Sequence, residues 1–412
     1  MITTEKGKEK QGKERVLIIA PQPFYEERGT PMNVRLMCTI LGRAGYVVDL
    51  LVFPTGTDVA MSGVNTIRLP NVLGLKHIPI GFSWKKLFFD SLLPFWCLWL
   101  CVKNRYQVIH GVEEGGLLAV ALGYFVGRCG TIFDMDSVMS DQFGPKGGKK
   151  TIQRIVRWME CRALHRATVV LTVCKALSDA AYKAVPSASV VQIEDIPLEF
   201  AFPLADTVRD QGRLAVKQAA KDMNFEHSRI LLYTGNLQPY QGIELMLESW
   251  QKFIQSIPDS SLYRLVIVGG PQQLVQSYKK RLPLQEGESR VCFVGPRPAA
   301  EMGAWMELAD ALISPRSEGE NTPLKIYTYM AAGKPIIATR MLTHTQVLTD
   351  ETALLVAPEV GAMAKAIQDC LVSDNEYTYK GEAALALVEK QFSYQAFEEK
   401  LLYAYTLAQQ RT

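Results

Sequence analysis

Short apolar runs alternate with helix-forming stretches along this chain, and this alternation restricts its fold more than any other feature. Arg15–Ala20 and Val47–Phe53 are almost continuously apolar, and a loop and a helical pattern separate them. Strands of this kind, joined by helices, are typical of a parallel sheet covered on both faces. The alternation resumes at Ile230–Thr234 and Leu262–Val268. The sequence therefore predicts an α/β protein built on doubly wound parallel sheets.

The length of the chain indicates two domains. A chain of 412 residues exceeds what one ordinary hydrophobic core holds. Prolines and charged residues become frequent near residue 200, where we place the boundary. We predict a polar, disordered tail over residues 1–14, a first domain over 15–200 and a second over 201–392. A last amphipathic helix is predicted over 393–412.

Charge and cysteine usage narrow the class of protein. The net charge of +3 does not indicate a nucleic-acid partner, but residues 1–200 carry +6 and the remainder −3. The basic first half either favours an anionic partner or membrane surface, or is an unevenly charged solvated surface. The eight cysteines form no CxxC pair and no zinc-ligand spacing. We expect reduced core cysteines in a cytoplasmic protein without a structural metal.

One apolar segment has two possible roles. Leu87–Val102 follows Trp84-Lys85-Lys86 and is apolar nearly all round. It has 16 residues, and we expect Asp90 and Pro94 to break it, so it is too short to span a bilayer. It is either a buried helix or an interfacial segment, in which case residues 84–102 make a peripheral membrane contact.

The stretch Ser314–Thr339 predicts a ligand site. It reads as a strand end, a polar loop, a helix and a new strand. Thr322 is a candidate N-cap, Pro323 suits the first helical position and Gly333 suits the position just after the helix. A helix start directs N–H groups and a positive dipole end toward a ligand.

Charged side chains gather at this helix start: Arg316, Glu318, Glu320 and Lys325. Such a set suits a ligand with phosphates and hydroxyls.

Polar residues also follow the strands of the first half. His110, Glu113, Glu114 and Asp136 stand at predicted carboxyl ends of strands, where open α/β sheets bind ligands. His110 is either a ligand-facing residue or a hydrogen-bonded structural histidine. Gly29, in the loop after the first strand, either allows a ligand close to the backbone or is a plain turn glycine.

These motifs resemble a known family. Ser317-Glu-Gly-Glu-Asn-Thr-Pro-Leu-Lys-Ile-Tyr, followed by Gly333-Lys-Pro, is similar to the donor-site signature of family 4 retaining glycosyltransferases of the GT-B fold. The loop Tyr233–Gly242 and the stretches around Gly29, Ile109–Glu114 and Phe133–Ser137 resemble further parts of the family, so the resemblance covers about residues 15–410.

The resemblance implies a fold and a reaction. Two facing Rossmann-like domains would bind a nucleotide sugar between them. The nucleotide would bind to the second domain and the acceptor to the first. The last helix would cross back to the first domain. It implies transfer with retention of configuration, with no metal and no cofactor beyond the nucleotide-sugar co-substrate. The acceptor proton would pass to the leaving phosphate oxygen.

The resemblance assigns roles to single residues. Glu320 matches a glutamate that binds hydroxyls of the donor sugar, and Arg316 and Lys325 are expected to stabilise the diphosphate, so these three are the catalytic candidates. Other positions depart from the family pattern. Thr328 stands where a ribose-binding glutamate is usual, and the neutral Asn236 and Gln241 stand where an arginine and a lysine are usual.

Two sets of binding residues follow from these matches. The expected donor-binding residues are Gly29, Gly235, Asn236, Gln241, Asn321, Thr322 and Thr328. The expected acceptor-side residues are His110, Glu113, Glu114 and Asp136.

Three functions fit these observations. The first is a cytoplasmic glycosyltransferase, at the inner face of the plasma membrane or free of it, that builds an envelope polysaccharide or glycolipid. The second is a GT-B scaffold that has lost catalysis and serves as a binding or partner subunit, as the neutral residues at 236, 241 and 328 suggest. A sugar phosphorylase or epimerase is a weaker third.

Overall fold

The computed structural model describes residues 14–26, 29–76, 78, 83–127, 129–143, 150–225, 227–281, 290–373 and 376–410. The predicted tail, apart from Glu14, lies outside them. The described residues form two compact units. Unit 1 contains the described residues up to Thr172, the residues Leu177–Ile193 and the described residues from Glu398 onward. Unit 2 contains Val173–Ala176 and Glu194–Phe397.

Unit 1 contains a seven-stranded sheet in the order β3-β2-β1-β4-β5-β6-β7, in which every neighbouring pair is parallel. The strands are β1 Arg15–Ala20, β2 Val47–Val52, β3 Val64–Arg68, β4 Val108–Val112, β5 Gly130–Met135, β6 Val169–Thr172 and β7 Val190–Gln192. The helices are α1 Gly29–Arg43, α2 Trp84–Lys103, α3 Glu114–Val126, α4 Lys150–Arg166 and α5 Lys175–Ala184. Helices follow most strands, as the alternation predicts.

Unit 2 repeats this plan with a six-stranded parallel sheet in the order β10-β9-β8-β11-β12-β13. The strands are β8 Arg229–Thr234, β9 Tyr263–Val268, β10 Val291–Gly295, β11 Ala311–Ser314, β12 Ile336–Thr339 and β13 Leu354–Val356. The helices are α6 Leu198–Ala201, α7 Asp206–Asp222, α8 Ile243–Ser256, α9 Gln272–Arg281, α10 Met302–Leu308, α11 Leu324–Ala331, α12 Leu342–Thr345, α13 Val360–Val372 and α14 Thr378–Gln391.

The order of the strands identifies the ligand-binding edge of each sheet. In unit 1 the chain reverses its direction of travel between β1 and β4, and in unit 2 between β8 and β11. Open parallel sheets leave a crevice at the carboxyl ends of such neighbouring strands, because the connections depart to opposite faces. Gly235 follows β8 and Arg316 lies two residues after β11, so predicted donor residues flank this point of unit 2.

The C-terminal helix, α15 Tyr394–Gln410, joins the two units. Its residues from Glu398 onward belong to unit 1, whereas its first turn belongs to unit 2. Tyr405 on this helix is fully buried and hydrogen-bonds His110 of β4, with 2.8 Å between the hydroxyl and Nδ1. The chain thus returns to its first unit.

Two local predictions were wrong. Thr322 does not cap the helix: Pro323 is the N-cap, α11 begins at Leu324 and no side-chain cap bond forms. Thr322 is instead buried. Gly333 has the expected left-handed backbone, with φ of 66° just after the helix.

The second error concerns α2. It continues through Asp90 and Pro94 for 20 residues, because a proline ring inside a helix removes one hydrogen bond without preventing the turns on either side. One side, formed by Phe89, Leu93 and Cys97, packs into the core, and other side chains face outward. Among the helices of the described residues, none combines the length and apolar character needed to cross a membrane.

Candidate functional site

Lys325 lies where the first strand of the second sheet ends. Its Nζ donates to the carbonyl oxygen of Thr234 at 3.2 Å and lies 4.1 Å from the centre of the Tyr233 ring. Burial and the nearby charge of Arg316 lower the pKa of Lys325 to about 7. An ammonium in this environment lacks hydration, so an anionic ligand would interact with it strongly.

Gly235 opens the space beside this ammonium. Its φ is 136°, a backbone conformation that residues with a side chain rarely adopt. A Cβ at this position would lie 3.3 Å from Nζ of Lys325. The glycine therefore allows the backbone to turn away from β8 without covering the cation.

Arg316 supplies a second cation at this edge. Its Nε donates to the carbonyl oxygen of Glu318 at 2.7 Å, and a terminal nitrogen donates to Oδ1 of Asn321 at 3.2 Å. The guanidinium lies 5.4 Å from the centre of the exposed Tyr240 ring. Burial lowers the pKa of Arg316, although a guanidinium stays protonated in proteins. The contacts hold its charge in place before any ligand binds.

The loops after β8 and β11 are fixed to each other. The backbone N–H of Ser317 donates to the carbonyl oxygen of Tyr240 at 3.1 Å. Gly242 makes a close approach to Pro315: a Cβ on Gly242 would lie 1.9 Å from the Pro315 carbonyl oxygen. Lys325, Gly235 and Arg316 therefore belong to one cluster of loops in direct contact.

His344 ties this cluster to the sheet. It is fully buried, and its Nδ1 lies 2.8 Å from the carbonyl oxygen of Thr339, which can only accept. Nδ1 therefore carries the proton, and Nε2 accepts from the Ser314 hydroxyl at 2.9 Å. The Thr339 hydroxyl in turn donates to the carbonyl oxygen of Arg316 at 2.5 Å. Burial lowers the pKa of His344 to about 4, so the ring is neutral at physiological pH.

Two further side chains hold the loop at Glu320 and Asn321. The Thr343 hydroxyl donates to the carbonyl oxygen of Asn321 at 2.8 Å. The Gln346 amide donates to the carbonyl oxygen of Glu320 at 2.6 Å and accepts from the Ala176 N–H at 2.7 Å. The backbone of Glu320 is thus fixed while its side chain is exposed. An exposed carboxylate on a fixed backbone suits hydrogen bonding to a polyhydroxylated ligand.

The other expected donor-binding residues divide into exposed and buried positions. Asn236 is exposed, and its amide nitrogen lies 3.3 Å from the Tyr240 hydroxyl. Gln241 is buried, and its Oε1 accepts no hydrogen bond from the residues that the structure describes. Thr328 is also buried, and its hydroxyl accepts from the Leu198 N–H at 3.5 Å. Asn236 is therefore a surface residue beside Tyr240, whereas Gln241 and Thr328 are buried.

In unit 1, Gly29 begins the helix that follows β1. It is exposed, and a Cβ added there would meet no atom within 4 Å. Neither packing nor a left-handed turn in the described structure requires a glycine at this position. A residue with a side chain would therefore fit at this position of the described structure.

The acceptor-side residues lie at the carboxyl ends of β4 and β5. Glu113 follows β4 with φ of 51°, a strained backbone for a residue with a side chain, and strain of this kind gathers at functional sites. Glu114 forms an ion pair with Lys86 of α2. Asp136 is partly buried just beyond β5.

His110 lies deeper. It is fully buried between Tyr405 and Asp134, with 3.4 Å from Nε2 to the Asp134 carboxylate. Its hydrogen bond to Tyr405 connects β4 to the C-terminal helix, while Nε2 makes no hydrogen bond within the described residues.

No cluster of three or more His, Cys, Asp or Glu side chains that could hold a metal ion occurs among the described residues. The positive charge at the edge of unit 2 comes from Lys325 and Arg316. Lysine and arginine are able to bind phosphate without a metal.

Several residues of this cluster were not expected from the sequence: Tyr233, Tyr240, Thr339, Thr343, His344 and Gln346. Their roles depend on contacts between distant parts of the chain. Only His344 could have been suspected from the sequence, because it is a polar residue that lies shortly after a buried strand.

Known proteins resemble this chain in sequence over part of its length and in fold over nearly all of it. Residues 228–373 match the family model for glycosyl transferases group 1. The D-inositol 3-phosphate glycosyltransferase of Corynebacterium glutamicum (strain R) is 30% identical over 164 residues, which are 39% of this chain and 39% of that protein. The chain thus spans about two fifths of the length of the curated relatives it matches.

Solved structures share the fold over nearly the whole chain. Sucrose-phosphate synthase from Thermosynechococcus elongatus superposes with a TM-score of 0.73 and 19% identity, covering 97% of this chain and 100% of that one. HepE of Anabaena, in complex with UDP-glucose, superposes with a TM-score of 0.67 and 14% identity, covering 95% and 99%. The predicted fold class is confirmed: two Rossmann-like parallel-sheet units of the GT-B type.

Proposed function

We propose that this protein is a glycosyltransferase that uses a nucleotide sugar and transfers the sugar to a saccharide or a lipid-linked acceptor with retention of configuration. The observation that carries the proposal is the pair of preorganised cations, Lys325 and Arg316, at the switch point of the second sheet. The match to the glycosyl transferases group 1 model covers this part of the chain. A structural neighbour solved with UDP-glucose supports a nucleotide-sugar donor.

In the proposed reaction the second unit binds the diphosphate of the donor. The bond between the sugar and the diphosphate breaks, the glycosidic bond forms, and the acceptor's hydroxyl proton passes to the leaving phosphate oxygen. Negative charge develops on that oxygen, so fixed cations at this place lower the barrier. Lys325 and Arg316 supply them, and Glu320 binds hydroxyls of the sugar. We propose no catalytic metal and no further cofactor.

On the acceptor side we propose that Glu113, Glu114 and Asp136 contact the sugar or lipid headgroup that receives the donor's sugar. Their placement after β4 and β5 supports this role. We propose an envelope polysaccharide or glycolipid as the product, made at the inner face of the plasma membrane, with residues 84–102 in peripheral contact with lipid. Anomeric configuration of the product, read by proton NMR, tests retention.

The first test is calorimetric binding of UDP, GDP and ADP in the presence of a chelator. We expect at least one nucleotide to bind without metal. The pKa of Lys325 in the ligand-free protein is about 7, and a diphosphate favours its ammonium form. Above pH 7, therefore, binding of the nucleotide takes up a proton. Affinity should fall by up to about tenfold per pH unit above 7, and the heat should depend on the ionisation enthalpy of the buffer.

The competing proposal is a GT-B scaffold without catalysis. Three residues favour it: Asn236 and Gln241 offer no charge to the diphosphate, and the buried Thr328 offers no carboxylate to the ribose. If no nucleotide or nucleotide sugar binds across the pH range, the result favours the non-catalytic scaffold over the glycosyltransferase. Donor-dependent transfer of a sugar contradicts it.

Gly29→Ala tests the proposed approach of the donor to the first unit. The free energy of unfolding should stay equal or rise by about 0.5 kcal/mol, because alanine forms helices better and meets no neighbour. Transfer should fall by about tenfold or more as the methyl group keeps a ligand away. Urea unfolding and initial rates measure the two effects.

Gly45→Ala is the control for Gly29→Ala. Gly45 has φ of 96°, so alanine there should lower stability. If Gly29→Ala leaves the rate unchanged, Gly29 has no part in binding.

A further inference from the structure

The outer side of three helices in unit 1 is unusually apolar. α2, α3 and α4 pack against one another in this order. On α2, Val102 is 81% exposed, and Phe95 and Trp99 are exposed beside it. We name the whole set the α2–α4 face; its exposed apolar residues are Trp84, Leu87, Phe95, Leu98, Trp99, Val102, Tyr124, Phe125, Val126, Ile152, Ile155, Trp158 and Met159. Large apolar surfaces of this kind on soluble domains mark binding sites.

The end of α3 continues the apolar surface beyond α2. Phe125 is 79% exposed, and Tyr124 and Val126 are exposed on either side of it. The Arg166 guanidinium of α4 lies 4.5 Å from the centre of the Tyr124 ring, which connects α3 to α4. The surface therefore does not consist of the 84–102 segment alone.

The charge of α4 indicates what the surface binds. This helix contains five Lys and Arg residues and one carboxylate, Glu160. Glu160 is buried and accepts from the Met139 N–H at 2.9 Å, so it does not offset the outer charge. Ile152, Ile155 and Met159 repeat at intervals of three and four, which puts them on one side of the helix. The basic residues, including Arg154 and Arg157, are exposed on the same helix.

The aromatic and basic side chains are paired as in interfacial helices. Lys103 at the end of α2 lies 4.9 Å from the centre of the Trp99 ring, and Arg166 lies over Tyr124 as described above. Tryptophan and tyrosine prefer the depth of lipid headgroups, where lysine and arginine reach phosphate groups. A protein partner would need a complementary acidic apolar surface, whereas an anionic bilayer offers both features over any area.

We propose that the α2–α4 face binds the surface of a bilayer containing anionic lipids, with the aromatic side chains in the headgroup layer and the arginines of α4 on lipid phosphates. The inference enlarges the contact proposed for residues 84–102 and specifies its lipid. It does not require glycosyl transfer, because it depends on unit 1 alone.

Vesicle co-sedimentation of the full chain tests this proposal. We expect binding to vesicles of phosphatidylcholine with phosphatidylglycerol, little binding to phosphatidylcholine alone, and release by salt. The double variant Arg154→Gln with Arg157→Gln should partition onto anionic vesicles about thirtyfold less, because it loses two contacts between arginine and lipid phosphate. Trp99→Gln with Trp158→Gln should reduce it about tenfold or more.

Matched controls come from α7 of unit 2. Lys217 and Lys221 are exposed, and Leu214 is as exposed as Trp158, at 67% each. Lys217→Gln with Lys221→Gln, and Leu214→Gln, should leave partitioning unchanged. All substituted positions are exposed, so unfolding midpoints should stay constant and exclude a folding defect.

Three results would overturn the proposal: no binding to anionic vesicles, equal binding to neutral ones, or tryptophan variants that instead abolish a dimer seen by sedimentation. Nucleotide binding, measured on the same variants, keeps the proposals separate. It should be unchanged, and its absence in the wild type contradicts the proposed enzyme without affecting the lipid result.

Discussion

Lys325→Met is expected to reduce glycosyl transfer by about 10²- to 10³-fold, the usual cost of removing one preorganised donor to a developing negative charge. The ammonium lies beside Gly235, donates to the Thr234 carbonyl oxygen at 3.2 Å and has no equivalent cation at positions 236 or 241. Arg316 remains in the variant but cannot take this place, since its guanidinium is held by Glu318 and Asn321.

The same substitution should make the ligand-free protein more stable. The pKa of Lys325 is about 7 in the folded protein and ordinary, 10.5, when unfolded. Below pH 7 the folded protein must hold a poorly hydrated charge, and this penalty is relieved as pH rises from 7 toward 10.5. Near pH 6, Lys325→Met should raise the free energy of unfolding by about 1 kcal/mol or more, and the gain should shrink above pH 7.

Urea unfolding and initial rates across this pH range measure both effects. Lys334→Met, just beyond the other end of α11, is the control and should change neither appreciably. Unimpaired transfer by Lys325→Met would contradict the catalytic assignment. A loss of stability near pH 6 would contradict the account of a partly buried, poorly hydrated charge.

His344→Ala is expected to lower the free energy of unfolding by about 2–4 kcal/mol. The substitution leaves a cavity and removes the partner of the buried Ser314 hydroxyl and of the Thr339 carbonyl oxygen. Because Thr339 holds the carbonyl oxygen of Arg316, the site should loosen too, and nucleotide affinity should fall. His165→Ala replaces an exposed histidine and should change stability by less than about 0.5 kcal/mol.

Acid titration separates the specific role of His344 from simple packing. Its pKa is about 4 when folded and 6.5 when unfolded, so the unfolded chain binds the extra proton between these values. Wild-type stability should therefore decrease as pH falls from 6.5 to 4, and the decrease should be smaller in His344→Asn, which cannot titrate. An equal acid dependence in both proteins would show that His344 is not the titrating group.

Much of the fold could be predicted from the sequence because the signals are local. β1, β2 and β8 were predicted as short apolar runs, and the observed strands agree with them within a residue. β3 was missed because Val64–Arg68 is only partly buried and alternates weakly. α2 was predicted to break because a proline signal was weighed without the core contacts that hold the helix together on both sides of it.

The candidate site was predictable in part. Arg316, Glu320 and Lys325 were identified because they surround the start of a helix that follows a buried strand. The supports of these residues were not, since the Lys325 contact with Thr234 joins residues 91 positions apart. Burial of Gln241, Thr328 and His110 likewise depends on packing partners that are distant in sequence.

The sequence by itself thus determined two parallel-sheet units and the set of charged residues at one strand edge, because periodicity and helix-end chemistry act over a few neighbouring residues. Only the tertiary structure decided that the pKa of Lys325 is lowered, that His344 fixes the loop of Arg316, and that three helices of unit 1 share a basic apolar face. Burial, charge coupling and surface continuity arise from contacts across the folded chain, and no local pattern encodes them.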